Sequence, residues 1–315
     1  MNILKLQDSP WAKNIVSIAL LYSFSILDNE FYADPYYSPM IGMMRAAISE
    51  GNTLPLRAIG YEALIFCIDS VIELLASASN IRDIITKDKK YYLPYLVNGR
   101  QNKIGSDITI KSSGYYLITG GFGALGLFFA RHLVSLGAKK IILLSRSKPK
   151  EKVVLEIEAL KRTGVEIHLI LVDISDNRQL QDHLSRAKSI GINIIGVIHA
   201  AGILRDSLLS KLDNIGLKAP MLPKINGVVN LYSLLSTHNL DFFINFSSIA
   251  SIIGSPGQIN YAAANAFLDS FSYYMSSMGA VAITINWGPW LDKGMSVQTS
   301  KLVRNHNAEG RLKPL

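Results

Sequence analysis

The chain has 315 residues and one cysteine, Cys67. That excludes an internal disulfide framework and suits a reducing cytosol, so a cytoplasmic setting is expected. The six histidines and Cys67 show no metal-ligand spacing, and no metal is expected. The net charge of +8 is spread along the chain, without a dense basic stripe or an aromatic-studded patch, which sets nucleic-acid binding aside. The uncharged run Ile15 to Leu27 is thirteen residues, too short to span a bilayer as a helix. Lys5 and Lys13 precede it as in a secretory signal, but Asp28, Asn29 and Glu30 follow where small residues would mark a cleavage site. It reads as a core helix or strand, and no membrane partner is expected. Internal repeats and low-complexity tracts are missing. The length holds one large or two modest domains.

What is present centres on TGGFGALG, Thr119 to Gly126. Tyr115 to Ile118 reads as a strand entering this turn, and Leu127 to Leu136 carries apolar residues at helical spacing before Gly137. Strand, glycine turn and helix is the context in which a pyrophosphate is cradled. Gly120, Gly121, Gly123 and Gly126 permit positive φ and close backbone approach. Thr119 and Leu125 belong to the same candidate cofactor segment.

Ile141 to Leu144 reads as the next buried parallel strand and ends in Ser145-Arg146-Ser147. An acid at this strand tip would bind the ribose 2′-hydroxyl of NAD, whereas an Arg accommodates the 2′-phosphate of NADP. Arg146, two hydroxyls and Lys148 stand here with no acid before Glu151, which points to NADPH. A helix over Val153 to Arg162 and a strand over Val165 to Val172 follow, ending in Asp173-Ile174. Asp173 can accept from the adenine amino group or cap the helix starting near Asn177. A fourth strand, Gly196 to Ile198, ends in His199-Ala200-Ala201-Gly202. The small residues Ala200, Ala201 and Gly202 leave room for a cofactor, and His199, in an apolar setting, reads as structural. The alternation indicates one α/β unit with a doubly wound parallel sheet of Rossmann type.

Phe242 to Phe246 is a strand ending in Ser247-Ser248, and after a turn-rich link Tyr261 opens a helix. Tyr261 and Asn265 are four apart and share a helix face. Strand ends are where open α/β sheets bind ligands, which places Ser248 at the site.

These pieces, with LLSRS (Leu143 to Ser147), HAAGILRDSLL (His199 to Leu209), PKINGVVNL (Pro223 to Leu231), FSSIASIIGSPGQINYAAANAFLD (Phe246 to Asp269) and INWGPW (Ile285 to Trp290), resemble the ketoreductase domain of modular polyketide synthases, within the short-chain dehydrogenase/reductase superfamily. The resemblance spans roughly Gly114 to Met295. It implies that Tyr261 is the proton donor, that Ser248 holds the substrate carbonyl oxygen, and that Lys224 lies near the nicotinamide ribose and the tyrosine. Asn265 takes the position where most of the superfamily has lysine, an exchange that such ketoreductases share. Asp206 and Gln258 fall in the segments implied to control substrate orientation. Leu204-Arg205-Asp206 keeps the last Asp of the Leu-Asp-Asp motif of B-type enzymes, and Ile253 stands where the opposite class tends to carry Trp. Both lean towards a D-configured 3-hydroxyl, although Arg205 departs from the motif.

The chemistry fits these residue types. A free Tyr has a pKa near 10, and an ammonium such as Lys224 is expected to lower it. Ser248 and Tyr261 then hydrogen-bond the oxygen as its charge grows. The implied activity is NADPH-dependent reduction of a β-ketoacyl thioester on the phosphopantetheine of an acyl carrier protein, beside other synthase domains. A free-standing reductase of a small ketone and a non-catalytic remnant of a larger synthase are the alternatives.

Residues 1 to 113 show no catalytic constellation and are expected to form a partial structural subdomain ahead of a catalytic domain at 114 to 315. Tyr36 to Glu50 reads as a helix, Leu54 to Ile59 as a strand, Glu62 to Ser77 as a helix, and Tyr91 to Gln101 as an extended segment with a turn at Asn98-Gly99. The segment Asp34 to Ile59 resembles the later part of the degenerate Rossmann-like half of modular ketoreductases. Only thirty-three residues precede it, so a shortened amino-terminal half is expected.

Overall fold

The computed structural model describes residues 18–27, 30–51, 56–62, 68–76, 82–88, 90–96, 108–235 and 239–290. Among them, no helix is long and apolar enough to cross a membrane.

Six parallel strands form the larger sheet: β6 (Tyr115–Thr119), β7 (Lys140–Ser145), β8 (Glu166–Leu171), β9 (Ile194–His199), β10 (Phe242–Ser248) and β11 (Ala282–Trp287). Their order is β11-β10-β9-β6-β7-β8. The chain moves outward from β6 to β8, then returns to the other side of β6 with β9. That reversal makes a crevice at the carboxyl ends of β6 and β9, the usual ligand position of such sheets.

Both faces are covered, which explains why the strands read as continuous apolar runs. Tyr115 and Leu117 point to one face, with Ile142, Leu144, Val197 and Phe243. They pack on α5 (Asn177–Ser189), α7 (Gly227–Leu234) and α9 (Ile259–Ser277) through Leu180, Val228, Leu268 and Met275, with α6 (Asn214–Met221) and α8 (Ala250–Ile253) in the connections between them. Tyr116 and Ile118 point to the other face, against Leu127, Ala130 and Leu133 of α3 (Ala124–Ser135) and Ile157 of α4 (Glu151–Lys161). The period-two alternation of a strand sorts the two sets.

The earlier residues form a second sheet, ordered β2-β1-β3-β4-β5. Its strands are β1 (Ile18–Leu27), β2 (Glu30–Ala33), β3 (Leu56–Glu62), β4 (Asp83–Lys87) and β5 (Lys90–Tyr92). β1, β3 and β4 run parallel, and the edge strands β2 and β5 are antiparallel. The uncharged run near the amino terminus is therefore a strand over its described part, seated inside this sheet. The helix expected over Glu62 to Ser77 is α2, Ile68–Ala76. Glu62 belongs to β3 instead, because that strand pairs with β1 as far as Phe24. Cys67, the Asn98-Gly99 turn and the residues after 290 lie outside the described residues.

Helix α1 (Ser38–Ser49) joins the two sheets. Its Ile41 and Met44 share a core with Tyr22, Phe24 and Leu56 of the smaller sheet and with Ile259 and Ala262 of α9. Gly42 sits at the crossing: a Cβ there would lie 2.5 Å from the Ala262 carbonyl oxygen and 2.9 Å from Ala266 Cβ. Only a residue without a side chain allows this approach. Gly42→Ala is expected to destabilise the protein by about 1–3 kcal/mol through overpacking, read as a lowered midpoint in urea unfolding.

Candidate active site

The glycine turn begins the site. Gly120 has φ of +65°, and a Cβ on it would meet the Ala200 carbonyl oxygen at 2.8 Å. A Cβ on Gly126 would meet the Gly120 carbonyl oxygen at 2.4 Å, so the first turn of α3 can lie directly on the loop. Gly123 is the N-cap of α3, and no side chain caps it. That helix end offers N–H groups and a positive dipole end to an anion.

Beside the turn runs a groove lined by Gly120, Ser145, Arg146, Asp173, Ile174, Ala201 and Gly202, together with Leu222 and Pro223. These include seven of the residues expected at a dinucleotide site. Thr119 is fully buried beneath it, its Oγ1 2.8 Å from His199 Nδ1 and accepting the Ala201 N–H at 3.2 Å. It shapes the loop from below. Gly121, Gly123, Leu125, Gly126 and Ala200 form the turn and its flanks and do not line the groove. The cradle, the uncapped helix end and the basic strand tip fit a dinucleotide phosphate.

Asp173 does not cap α5. Its Oδ1 accepts from Ser175 N–H at 2.9 Å and from Ser175 Oγ at 2.6 Å, and its Oδ2 lies 3.8 Å from Arg146 Nη1. Asp176 is the N-cap, accepting from Gln179 N–H at 3.1 Å. His199 is fully buried, and burial pushes its pKa down to about 3, so it stays neutral, as expected for a structural residue.

The groove reaches a π-helical turn, Leu222–Asn226, which carries Lys224. Pro220 and Pro223 lack N–H groups, so regular i→i−4 bonding fails here and the helix re-registers. The result turns Lys224 inward. It is 3% exposed, its Nζ donates to the Phe246 carbonyl at 2.8 Å, and Nζ lies 5.7 Å from the centre of the Tyr261 ring. Burial lowers its pKa to about 7, with Asp269 opposing.

Tyr261 sits in the first turn of α9. Burial raises its pKa, hydrogen bonding from Ser248 and Asn265 opposes the rise, and the charge of Asp206 adds to it. The lowering expected from Lys224 is therefore overturned. Lys224 is itself desolvated and loses its charge readily, so burial of the phenol dominates. The proton stays on Tyr261 at neutral pH.

Ser248 ends β10, and its Oγ accepts the Ala250 N–H at 3.2 Å. Its hydroxyl also hydrogen-bonds Tyr261, which brings the two hydroxyls to one point. Asn265 is fully buried and gives Nδ2 to the Tyr261 carbonyl at 2.8 Å; its Oδ1 has no partner among the described residues. Gln258 Nε2 donates to Asp206 Oδ1 at 3.2 Å, so the two residues expected to orient substrate touch each other.

A supporting network was not foreseen. Asp269 accepts from Ser251 Oγ at 2.5 Å and from Asn286 Nδ2 at 3.0 Å, and Asn286 Nδ2 lies 3.3 Å from Ser247 Oγ. It ties β10, β11 and α9 together directly behind Ser248. Asp269 stands eight residues after Tyr261, two helical turns on the same face, and that spacing was the available signal.

Comparison with known proteins agrees with this geometry. Residues 114–292 match the model of the KR domain family. The chain is 37% identical over 184 residues to a phthioceranic/hydroxyphthioceranic acid synthase of Mycobacterium tuberculosis, covering 58% of this chain and 9% of that protein. It is 31% identical over 297 residues to a 6-methylsalicylic acid synthase of Arthrobotrys oligospora, covering 86% of this chain and 16% of that one. The chain thus spans a small fraction of these synthases. Among solved structures, the ketoreductase from the first module of phoslactomycin biosynthesis in Streptomyces sp. HK803 superposes with a TM-score of 0.82 at 28% identity, covering 95% of this chain and 70% of that one. The matched span holds both the glycine turn and the tyrosine helix: the chain belongs to the KR domain family, the β-keto reductases of polyketide synthases, which depend on a nicotinamide dinucleotide.

Proposed function

We propose that the protein reduces a β-ketoacyl thioester, held on the phosphopantetheine of an acyl carrier protein, to the 3-hydroxyacyl thioester, with NADPH as reductant. The convergence of Lys224, Ser248 and Asn265 around the Tyr261 phenol at the end of the groove supports this reading most directly. Gly120 and the uncapped start of α3 at Gly123 would hold the pyrophosphate, with Gly126 letting the helix lie on the loop, and Arg146, with Ser145, would hold the 2′-phosphate. A bound nicotinamide dinucleotide supplies a hydride to the carbonyl carbon.

The remaining work falls to side chains. Ser248 donates a hydrogen bond to the carbonyl oxygen and fixes its position. Tyr261 delivers its proton as the oxygen gains charge, and Asn265 helps hold the first turn of α9 through the Tyr261 carbonyl. Asp206 and Gln258 orient the acyl chain. The division near residue 113 between a structural and a catalytic part belongs to the same reading.

Purified protein is expected to oxidise NADPH when given a β-ketoacyl thioester, and faster with the thioester on a carrier than with a free small ketone. Failure to consume NADPH with any of these would refute the proposal. Cofactor choice has its own test. Arg146→Ala is expected to weaken NADPH binding by about ten- to a hundredfold, the loss of a charge-assisted contact, and to leave NADH binding nearly unchanged. Fluorescence titration with both cofactors reads the difference, and an equal loss for both would remove Arg146 from phosphate recognition.

A further inference from the structure

Just after α1 stands Glu50, its C-cap, which the proposed reaction does not use. Its two carboxylate oxygens accept from backbone N–H groups of two separate loops. Oε2 takes the Leu209 N–H at 3.0 Å, and Oε1 takes the Gly257 N–H at 2.9 Å. Leu209 lies three residues after Asp206, and Gly257 immediately precedes Gln258. The loops also meet each other: Ser207 N–H donates to the Gly257 carbonyl at 2.8 Å, and Gln258 reaches Asp206. Five residues earlier in α1, Arg45 donates from Nη1 to the Ser251 carbonyl at 2.9 Å and from Nε to Asp83 Oδ2 at 2.8 Å.

We propose that Glu50 is a positioning residue for the reaction. Its carboxylate sets the separation between the Asp206 loop and the Gln258 loop, and so decides which face of the bound ketone meets Tyr261. This rests on the ketoreductase reading given above. Bonds to an ionised acceptor are stronger than neutral ones, and here a single group spans both loops. The group stands at the end of a helix anchored on α9 at the Gly42 crossing, so the loops are referenced to a rigid element and not merely to each other.

The chemistry of the fork dictates the test. Glu50→Gln keeps the shape but supplies one acceptor and one donor, so one loop N–H faces an N–H and loses its bond. The KM for a β-ketoacyl thioester is expected to rise about tenfold, the loss of one bond to a charged group. The ratio of the two 3-hydroxy epimers shifts towards the minor one. NADPH affinity and melting temperature stay close to wild type, and amide hydrogen exchange speeds up at Leu209 or Gly257. A purely structural role would instead lower the melting temperature, kcat and NADPH binding together, and that pattern overturns the proposal, as do unchanged KM, epimer ratio and exchange. Should Glu50→Gln fail to fold, Leu209→Pro removes one of the two N–H donors; Leu208 has ψ of 150°, which accommodates a following proline. The same shift in KM and epimer ratio is then expected, and its absence counts against the proposal. If wild-type protein turns over no thioester, the reading of the site fails on its own, while the exchange rates of the two amides still decide whether Glu50 clamps the loops.

Discussion

Tyr261→Phe is expected to reduce NADPH-dependent turnover by about 10²–10⁴-fold, the usual contribution of a general acid. Ring packing survives the change, because only the hydroxyl is lost. Tyr261 is half-buried and desolvation raises the pKa of its phenol, so it carries its proton through the neutral range and is poised to give it up to a developing alkoxide. Removing it leaves Ser248 as the hydrogen-bond donor but no proton source at that position. NADPH affinity should change little, since Tyr261 does not line the groove beside the glycine turn. Steady-state rates together with a binding titration check both halves. Turnover that persists within a few fold of wild type would remove Tyr261 from the reaction.

Lys224→Met removes the amine that we propose holds the nicotinamide ribose beside Tyr261; it is expected to remove most turnover and, at the same time, to make the protein more stable below neutral pH. The lysine is buried, and its pKa falls to about 7 from the 10.5 of a free side chain. Folding therefore disfavours its charged form. The unfolded chain keeps that proton up to about pH 10.5, so the penalty is complete below pH 7 and fades as pH climbs from 7 towards 10.5. A shift of this size corresponds to on the order of 5 kcal/mol. Methionine removes the charge but leaves the Phe246 carbonyl without its donor, at about 1–3 kcal/mol. The net gain at pH 6 should be about 2–4 kcal/mol, vanishing or reversing by about pH 10, where only the lost hydrogen bond remains. Urea unfolding of both proteins at pH 6 and pH 10 measures it. A stability gap that is independent of pH, or a wild type that is the more stable at pH 6, would contradict the buried-charge account.

Much of the larger sheet was legible because its physics is local. A strand covered on both faces has to be apolar throughout, and Ile141 to Leu144 announces itself that way. The turn after β6 needs residues without side chains, and Gly120 and Gly126 supply them where backbone atoms approach within 3 Å. Helical spacing put Tyr261 and Asn265 on one face, and the resemblance to ketoreductases singled that pair out. Other features depend on partners far away in the chain. Glu50 meets Leu209 and Gly257 across 159 and 207 residues, and no spacing rule reaches that far. The burial of Lys224 arises from a π-helical turn whose only local hint was two prolines three apart. The net upward shift at Tyr261 was hidden for the same reason: proximity of charge can be read from a motif, whereas desolvation is set by everything packed around the phenol.

Helix α9 belongs to two cores at once. Ile259 and Ala262, at its start, face α1 and the smaller sheet; Phe267, Leu268 and Met275, further on, face the larger one. Tyr261 lies in the part that leans on the smaller sheet. The smaller sheet and α1 thus serve as the wall behind the phenol, and wear in that wall would surface first as a fault in the chemistry.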